Sequence, residues 1–262
     1  QRRTSLIEIH PTALVDNRAE IGDNVQIGPF AIIEEDVVIG AGTTIGPHVL
    51  AANGARIGKN CRIHNGAVVA TLPQDLKFGG EKSLFEIGDN TTVREFATLN
   101  RGTAAHGKSS IGSNCLLMAY THVAHDCTVG DNVIMANGVQ LGGHVTIEDW
   151  AIIGGMTPVH QFCHVGQHCM IGGGFRVIQD VPPYILASEE PLRFAGLNSI
   201  GLRRRGFSSE TLMLLKRVYR ILYRSELNVS QAVERIKSEF EITPEIGSVL
   251  RFIETSDRGI IH

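Results

Sequence analysis

The chain has 262 residues, 43% of them hydrophobic and 19% charged, enough for one large or two modest globular domains with a sizeable core. A formal net charge of -3 gives no general attraction to nucleic acid or to an anionic membrane, so any basic site has to be a local cluster, and only "GLRRRGF" qualifies. No apolar run of about 18 residues is present, and "QRRTSLIEIHPTA" has no apolar stretch after its charges, so a cytoplasmic protein without an integral membrane segment is expected.

From Ile9 the sequence repeats every six residues, through Val15, Ile21, Ile27, Ile33, Ile39, Ile45, Ala51, Ile57, Ile63 and Val69. The same step runs through Ile87, Val93 and Leu99, and again without interruption from Ile111 to Val177. Gly often follows the aliphatic, and the fourth residue after it is usually Ala, Val, Thr or Cys. Such a hexad describes a strand too short to pack alone, a turn that often wants Gly, and one large and one small side chain pointing into a shared interior. Three hexads make one triangular coil of a parallel β-helix. A helix fails the test, because a period of six drifts round a 3.6-residue turn and buries nothing.

Cys61, Cys115, Cys127, Cys163 and Cys169 all fall on the small inward position, which makes them filler rather than disulfide or zinc ligands. Two segments break the pattern. "TLPQDLKFGGEKSLFE" (71–86) has one coil's worth of residues, 18 from Val69 to Ile87, yet puts Asp75 and Glu81 where aliphatics belong. "RGTAAHGKSS" (101–110) is polar. Both are expected as loops on a rigid scaffold, where specificity often resides. After "QDVPPY" the period becomes helical, with Leu212, Leu215, Val218, Tyr219 and Leu222 on one face of "SSETLMLLKRVYRILYRS" and further helices expected at "VSQAVERIKSEF" and "TPEIGSVLRFIETS". The division expected is a β-helix over 1–187 and a smaller α-helical C-terminal domain over 188–262.

With 18 residues per coil, residues 18 apart stack about 4.8 Å from one another. His125, Gly143 and Gln161 then form one ladder, Asp126 and His144 the next, and His122 and His160 lie beside them on the same corner. Three histidines can hold zinc, but a base suits His125 better, with Asp126 to orient it and the Gly143 N–H free for a developing oxyanion. No metal is expected. Ile134, Ile152 and Met170 stack outward as an apolar stripe that a monomer should not expose, which predicts a homotrimer. Gly155 and Gly173 stack beside Ile152 and Met170, a bare strip where an alkyl chain could lie.

The segments "GPFAIIEEDVVIG", "QDLKF", "RGT", "LLMAYTHVAHDCTVGDN", "AIIGGMTPVHQFC", "QDVPPY" and "GLRRRGF" closely resemble the UDP-N-acetylglucosamine O-acyltransferase family of the hexapeptide-repeat enzymes, which open lipid A synthesis in Gram-negative bacteria. The resemblance implies a left-handed helix and a homotrimer that moves a 3-hydroxyacyl group from acyl carrier protein to the sugar 3-hydroxyl of UDP-N-acetylglucosamine. It makes His125 the base, Asp126 its partner and the Gly143 N–H the oxyanion donor. It places His122, His144, His160 and Gln161 along the cleft, Asp75 and Lys77 on the sugar, and Asn198, Arg204 and Arg205 on the nucleotide or the donor's phosphates. Ile152, Gly155, Met170 and Gly173 belong to the acyl channel, with Gly173 its long-chain setting. No cofactor is implied beyond the phosphopantetheine that arrives on the carrier.

Three residues depart from the family pattern: Pro73 where Asn is common, Ile200 where a Glu often contacts the nucleoside, and Pro191 in place of a His near the acyl channel. They bear on nucleoside contacts and chain selectivity, and an acceptor with an amine at the sugar 3-position is a second reading. A purely structural β-helix would show uniform Thr or Ser faces, with no reason to gather His, Asp and Gln at one corner.

Overall fold

The computed structural model describes residues 6–262, so the first five residues of the expected 1–187 region lie outside it. Short parallel strands, most of two residues, assemble into three sheets of eleven, eight and eight strands. We call them A, B and C in the order in which the chain meets them. In nearly every strand the second residue is the buried aliphatic and the first faces out, the period of two that a pleated strand imposes. Each coil stacks in register on the next: Ile9 pairs with Ile27, Ile27 with Ile45, and Ile45 with Ile63.

The corners require backbone that most residues avoid. Asn24, Asn60, Asn90, Asn114 and Asn132 sit there at φ between +53° and +58°, in the left-handed region that Asn tolerates better than other non-glycine residues. Inside the prism the small position is filled by buried Ala, Val, Thr and Cys. Thr43 Oγ1 accepts the Cys61 N–H at 2.9 Å and donates to Gly58 O at 2.8 Å, so its hydroxyl is satisfied within the coil. All five cysteines are free and buried, as their hexad position required. Burial pushes the Cys127 thiol up to about 12, which leaves it inert.

The two loops interrupt the stacking more than the count of residues suggested. Ile57 pairs with Ile87, 30 residues on, so residues 71–86 contain a twelve-residue extrusion rather than a coil. Val93 pairs with Leu117, 24 residues on, so the second loop extrudes six. Each insertion is a whole number of hexads, and for that reason the phase of the aliphatics passes through undisturbed.

The helix ends in a hairpin. Ile185–Ser188 adds parallel to Met170–Ile171, and Arg193–Leu197 returns antiparallel, so sheet A continues beyond the boundary expected at 187, which falls inside a strand. Four helices follow: α1 (Ser199–Arg204), α2 (Ser209–Arg224), α3 (Val229–Glu239) and α4 (Pro244–Glu254). Ser208, Asn228 and Thr243 cap the last three through their side chains. The expected apolar face of α2 is buried, with Leu212, Leu215, Val218, Tyr219 and Leu222 inside. The buried Asp180 carboxylate accepts the Ser256 hydroxyl at 2.6 Å, and Gln167 donates to Ser248 Oγ at 2.7 Å, holding the C-terminal segment against the last coils.

Candidate active site

The corner between sheets B and C gathers the histidines. His122 and Val123 form a sheet B strand, the chain turns through Ala124, His125 and Asp126, and Thr128 opens the next strand in sheet C. Val123 pairs with Leu141 and Leu141 with Val159, so the 125, 143 and 161 positions stack as expected. Asp126 and His144 take the left-handed corner position at φ +59° and +60°, which turns both side chains toward the same space.

His125 Nδ1 donates to Asp126 Oδ2 at 2.9 Å, which leaves Nε2 as the imidazole's free basic edge. Gly143 lies directly beneath this ring. A Cβ built there would stand 2.6 Å from His125 Cε1 and 2.7 Å from Nε2, so the space over the bare Cα is taken by the histidine ring. Among the described residues the Gly143 N–H has no hydrogen-bond partner, like the N–H at the same turn position of residues 125 and 161.

Asp126 is buried, and four donors serve it. Thr103 gives its N–H to Oδ1 at 2.9 Å and its hydroxyl to Oδ2 at 2.7 Å, the His106 N–H reaches Oδ1 at 3.3 Å, and His125 completes the set. Burial pushes the carboxyl up, but the hydrogen bonds from Thr103 and His125 outweigh it and hold the group below the usual carboxylate range. Thr103 and His106 come from the second loop, and sequence reasoning missed both. The signals were that the loop is polar and that Thr103 ends the quoted "RGT", but without a period neither places these residues.

His144 stands with Nε2 3.7 Å from Asp126 Oδ2, its ring edge-on to His125 and His106 and stacked on Phe162 with centroids 4.5 Å apart. Burial lowers its pKa below the usual imidazole value. Burial also lowers that of His122, whose Nδ1 is 2.7 Å from Thr98 Oγ1. His160 is exposed and donates from Nδ1 to the Gln161 carbonyl at 3.1 Å. Asp75 belongs to the same neighbourhood, since its charge acts on His144. In the loop it accepts the Lys77 N–H at 2.9 Å, with Lys77 exposed and the Leu76 side chain fully offered to solvent.

His125, Asp126 and His144 each present one ligand atom within 4.8 Å of the others, the donor set of a metal site. The Asp126 oxygens are already engaged by Thr103, His106 and His125, so the arrangement is better matched to a carboxylate–imidazole pair than to an ion.

The remaining expected residues lie at other corners of the same chain. Asn198 caps α1, accepting the Gly201 N–H and donating to His168 O at the corner between sheets C and A. Arg205 is half-buried there: Nη1 donates to His168 Nδ1 at 3.1 Å and the guanidinium lies 5.2 Å from the Trp150 ring centroid, a packing role the sequence did not suggest. Arg204 is exposed beside it. Ile152 pairs with Met170 in sheet A, both partly exposed, and Gly155 and Gly173 follow at the corner between sheets A and B, with a Cβ at Gly173 only 3.0 Å from Gly155 O. One chain therefore brings together His125, the Asp126 carboxylate and the other histidines of the cluster, and holds the expected nucleotide and acyl-chain residues on its other two corners.

Comparison with known proteins agrees with this geometry. The bacterial transferase hexapeptide (six repeats) matches residues 18–53 and 108–143, and the second domain of UDP-N-acetylglucosamine O-acyltransferase matches 180–261. The acyl-[acyl-carrier-protein]–UDP-N-acetylglucosamine O-acyltransferase of Janthinobacterium sp. (strain Marseille) is 47% identical over 259 residues, covering 97% of this chain and 99% of that protein. Its counterpart in Thiobacillus denitrificans is 48% identical over 255 residues, with the same coverage. The solved UDP-N-acetylglucosamine acyltransferase of Bacteroides fragilis superposes with a TM-score of 0.95 at 47% identity, over 97% of this chain and 100% of that one. That of Francisella novicida superposes at 0.94 and 41% identity, over 97% and 93%. With its hexads, its helical C-terminal segment and its histidine corner, this left-handed parallel β-helix belongs to the acyl-[acyl-carrier-protein]–UDP-N-acetylglucosamine O-acyltransferase family.

Proposed function

We propose that this acyltransferase moves a 3-hydroxyacyl group from acyl carrier protein to the 3-hydroxyl of UDP-N-acetylglucosamine, with His125 as general base. The observation that carries the assignment is the His125–Asp126 pair. One imidazole nitrogen is fixed on a buried carboxylate at 2.9 Å, and the other is free on a ring that remains 14% exposed. His125 Nε2 takes the proton of the sugar hydroxyl as its oxygen attacks the thioester carbonyl, and Asp126 stabilises the imidazolium that forms. The Gly143 N–H steadies the tetrahedral oxyanion, and the returning proton leaves with the carrier's thiol. No cofactor of the chain's own is needed, because the acyl group arrives activated on phosphopantetheine.

His122, His144, His160 and Gln161 line the cleft in this reading, and Asp75 and Lys77 close over the sugar. Asn198, Arg204 and Arg205 meet the nucleotide or the pantetheine phosphates, and a row of basic residues on α2 (Lys216, Arg217, Arg220, Arg224) faces the acidic carrier. These groups sit on three corners of one prism, so a shared cleft needs neighbouring copies, and we take the working unit to be a homotrimer. Leu116, Ile134, Ile152 and Met170, in register on the outside of sheet A and partly exposed in the single chain, support that assembly. A cytoplasmic location belongs to the same proposal. Among the described residues no helix is long and apolar enough to cross a membrane. The test is the mass shift of UDP-N-acetylglucosamine incubated with carrier protein loaded with hydroxyacyl chains. A product heavier by one hydroxyacyl group is expected, and no shift with any donor would overturn the proposal.

A further inference from the structure

We infer that Thr103 is a positioning residue for the His125–Asp126 pair, an inference that rests on the base assignment above. Asp126 is bound to the histidine through a single oxygen, Oδ2, and a carboxylate held only there is free to rotate about its own axis. Thr103 removes that freedom. Its N–H takes Oδ1 at 2.9 Å and its hydroxyl takes Oδ2 at 2.7 Å, so one residue grips both oxygens, and the His106 N–H adds a second contact to Oδ1 at 3.3 Å. Thr103 is itself buried, at 8% exposure, so water does not compete for these bonds. The grip is anchored from outside, because the Glu81 carboxylate in the first loop accepts the Ala104 N–H at 2.8 Å and the Gly79 N–H at 2.8 Å, tying the two extruded loops together. With the carboxylate fixed, the hydrogen of His125 stays on Nδ1 and the lone pair of Nε2 keeps one direction toward the acceptor. Thr103 touches no reacting atom: its hydroxyl also accepts the Ala105 N–H at 3.2 Å within the loop, and its reach to the base runs through Asp126.

Thr103→Val keeps the shape and the backbone N–H and removes the hydroxyl. Hydrogen bonds to charged groups are worth enough that kcat should fall by about ten-fold to a hundred-fold, while KM for the sugar nucleotide changes less than about three-fold. Thr103→Ser should recover most of the loss. A double-mutant cycle separates positioning from general structural damage: in an Asp126→Asn background the Thr103→Val change should cost almost nothing further, since the group it serves is gone. Multiplicative losses in that cycle, an effect confined to KM, or failure of serine to rescue would each overturn the inference. Should Thr103→Val not fold, Glu81→Ala loosens the same segment from the loop side and is expected to show the same fall in kcat and the same silence in the Asp126→Asn background. Retention of turnover by His125→Ala would instead refute the base assignment, an outcome the Thr103 cycle does not mimic.

Discussion

Replacing Gly143 by alanine puts a methyl carbon where the His125 ring already lies. The clash is set by the structure: the new Cβ would be 2.6 Å from Cε1 and 2.7 Å from Nε2, whereas non-bonded carbons rest about 3.5–4.0 Å apart. The imidazole therefore has to move by about 1 Å, enough to break its 2.9 Å bond to Asp126. A catalytic group misplaced by that much costs on the order of 100-fold in turnover. The backbone N–H survives in the variant, and Gly143 is not in the left-handed region, so neither oxyanion donation nor backbone strain accounts for the loss. The assay is steady-state acyl transfer alongside a circular-dichroism melt. We expect kcat to fall roughly 100-fold with little change in melting temperature, and no further fall when the change is made in His125→Ala. Turnover within a few-fold of wild type would show that the ring position is not what the chemistry requires.

Gly173→Met should shift preference toward shorter hydroxyacyl donors, by roughly 10 to 200-fold in kcat/KM per excluded methylene. Its Cβ stands 3.0 Å from Gly155 O, so the backbone yields by a few tenths of an ångström, and a uniform loss at every chain length would show that the glycine serves the fold. Light scattering should report a mass three times the 28.4 kDa chain, and a stable, active monomer would end the trimer proposal. His168 makes stability pH-dependent. Burial, with Arg205 beside it, pushes its pKa down to about 4, so below its ordinary range near 6.5 the unfolded chain binds a proton that the folded one refuses. This contribution is whole above about pH 6.5 and is lost progressively down to about pH 4, and His168→Phe, which keeps the stack with Trp150 and Tyr184, should lessen the fall in melting temperature across that window.

The β-helix was legible because its rule is local: every sixth residue is aliphatic, and the structure buries those positions from Ile27 to Val177. The histidine corner was legible for the same reason, since nothing interrupts the hexads between Ile111 and Val177 and residues 18 apart do stack. Legibility failed where phase carried no information. The loops add twelve and six residues, so Ile87 looks as if it follows Val69 by a full coil, whereas it stacks on Ile57. Inside those loops there is no period at all, and Thr103 and His106 could be placed against Asp126 only by coordinates. At Gly143 the sequence pointed to the N–H and gave no sign of the His125 ring resting on its Cα. The packing of Arg205 was illegible for a related reason, because a run of three arginines does not reveal which one folds back onto Trp150 and His168.

The account stands most directly on one comparison, the single-turnover rate of hydroxyacyl transfer from carrier protein to UDP-N-acetylglucosamine by wild type and by His125→Ala at matched, saturating concentrations. With the side chain on the outer corner and the core untouched, the variant should keep its fold and assembly and lose roughly 10² to 10⁴-fold in rate, the usual worth of a general base. Full-rate transfer by a folded His125→Ala protein would contradict the account.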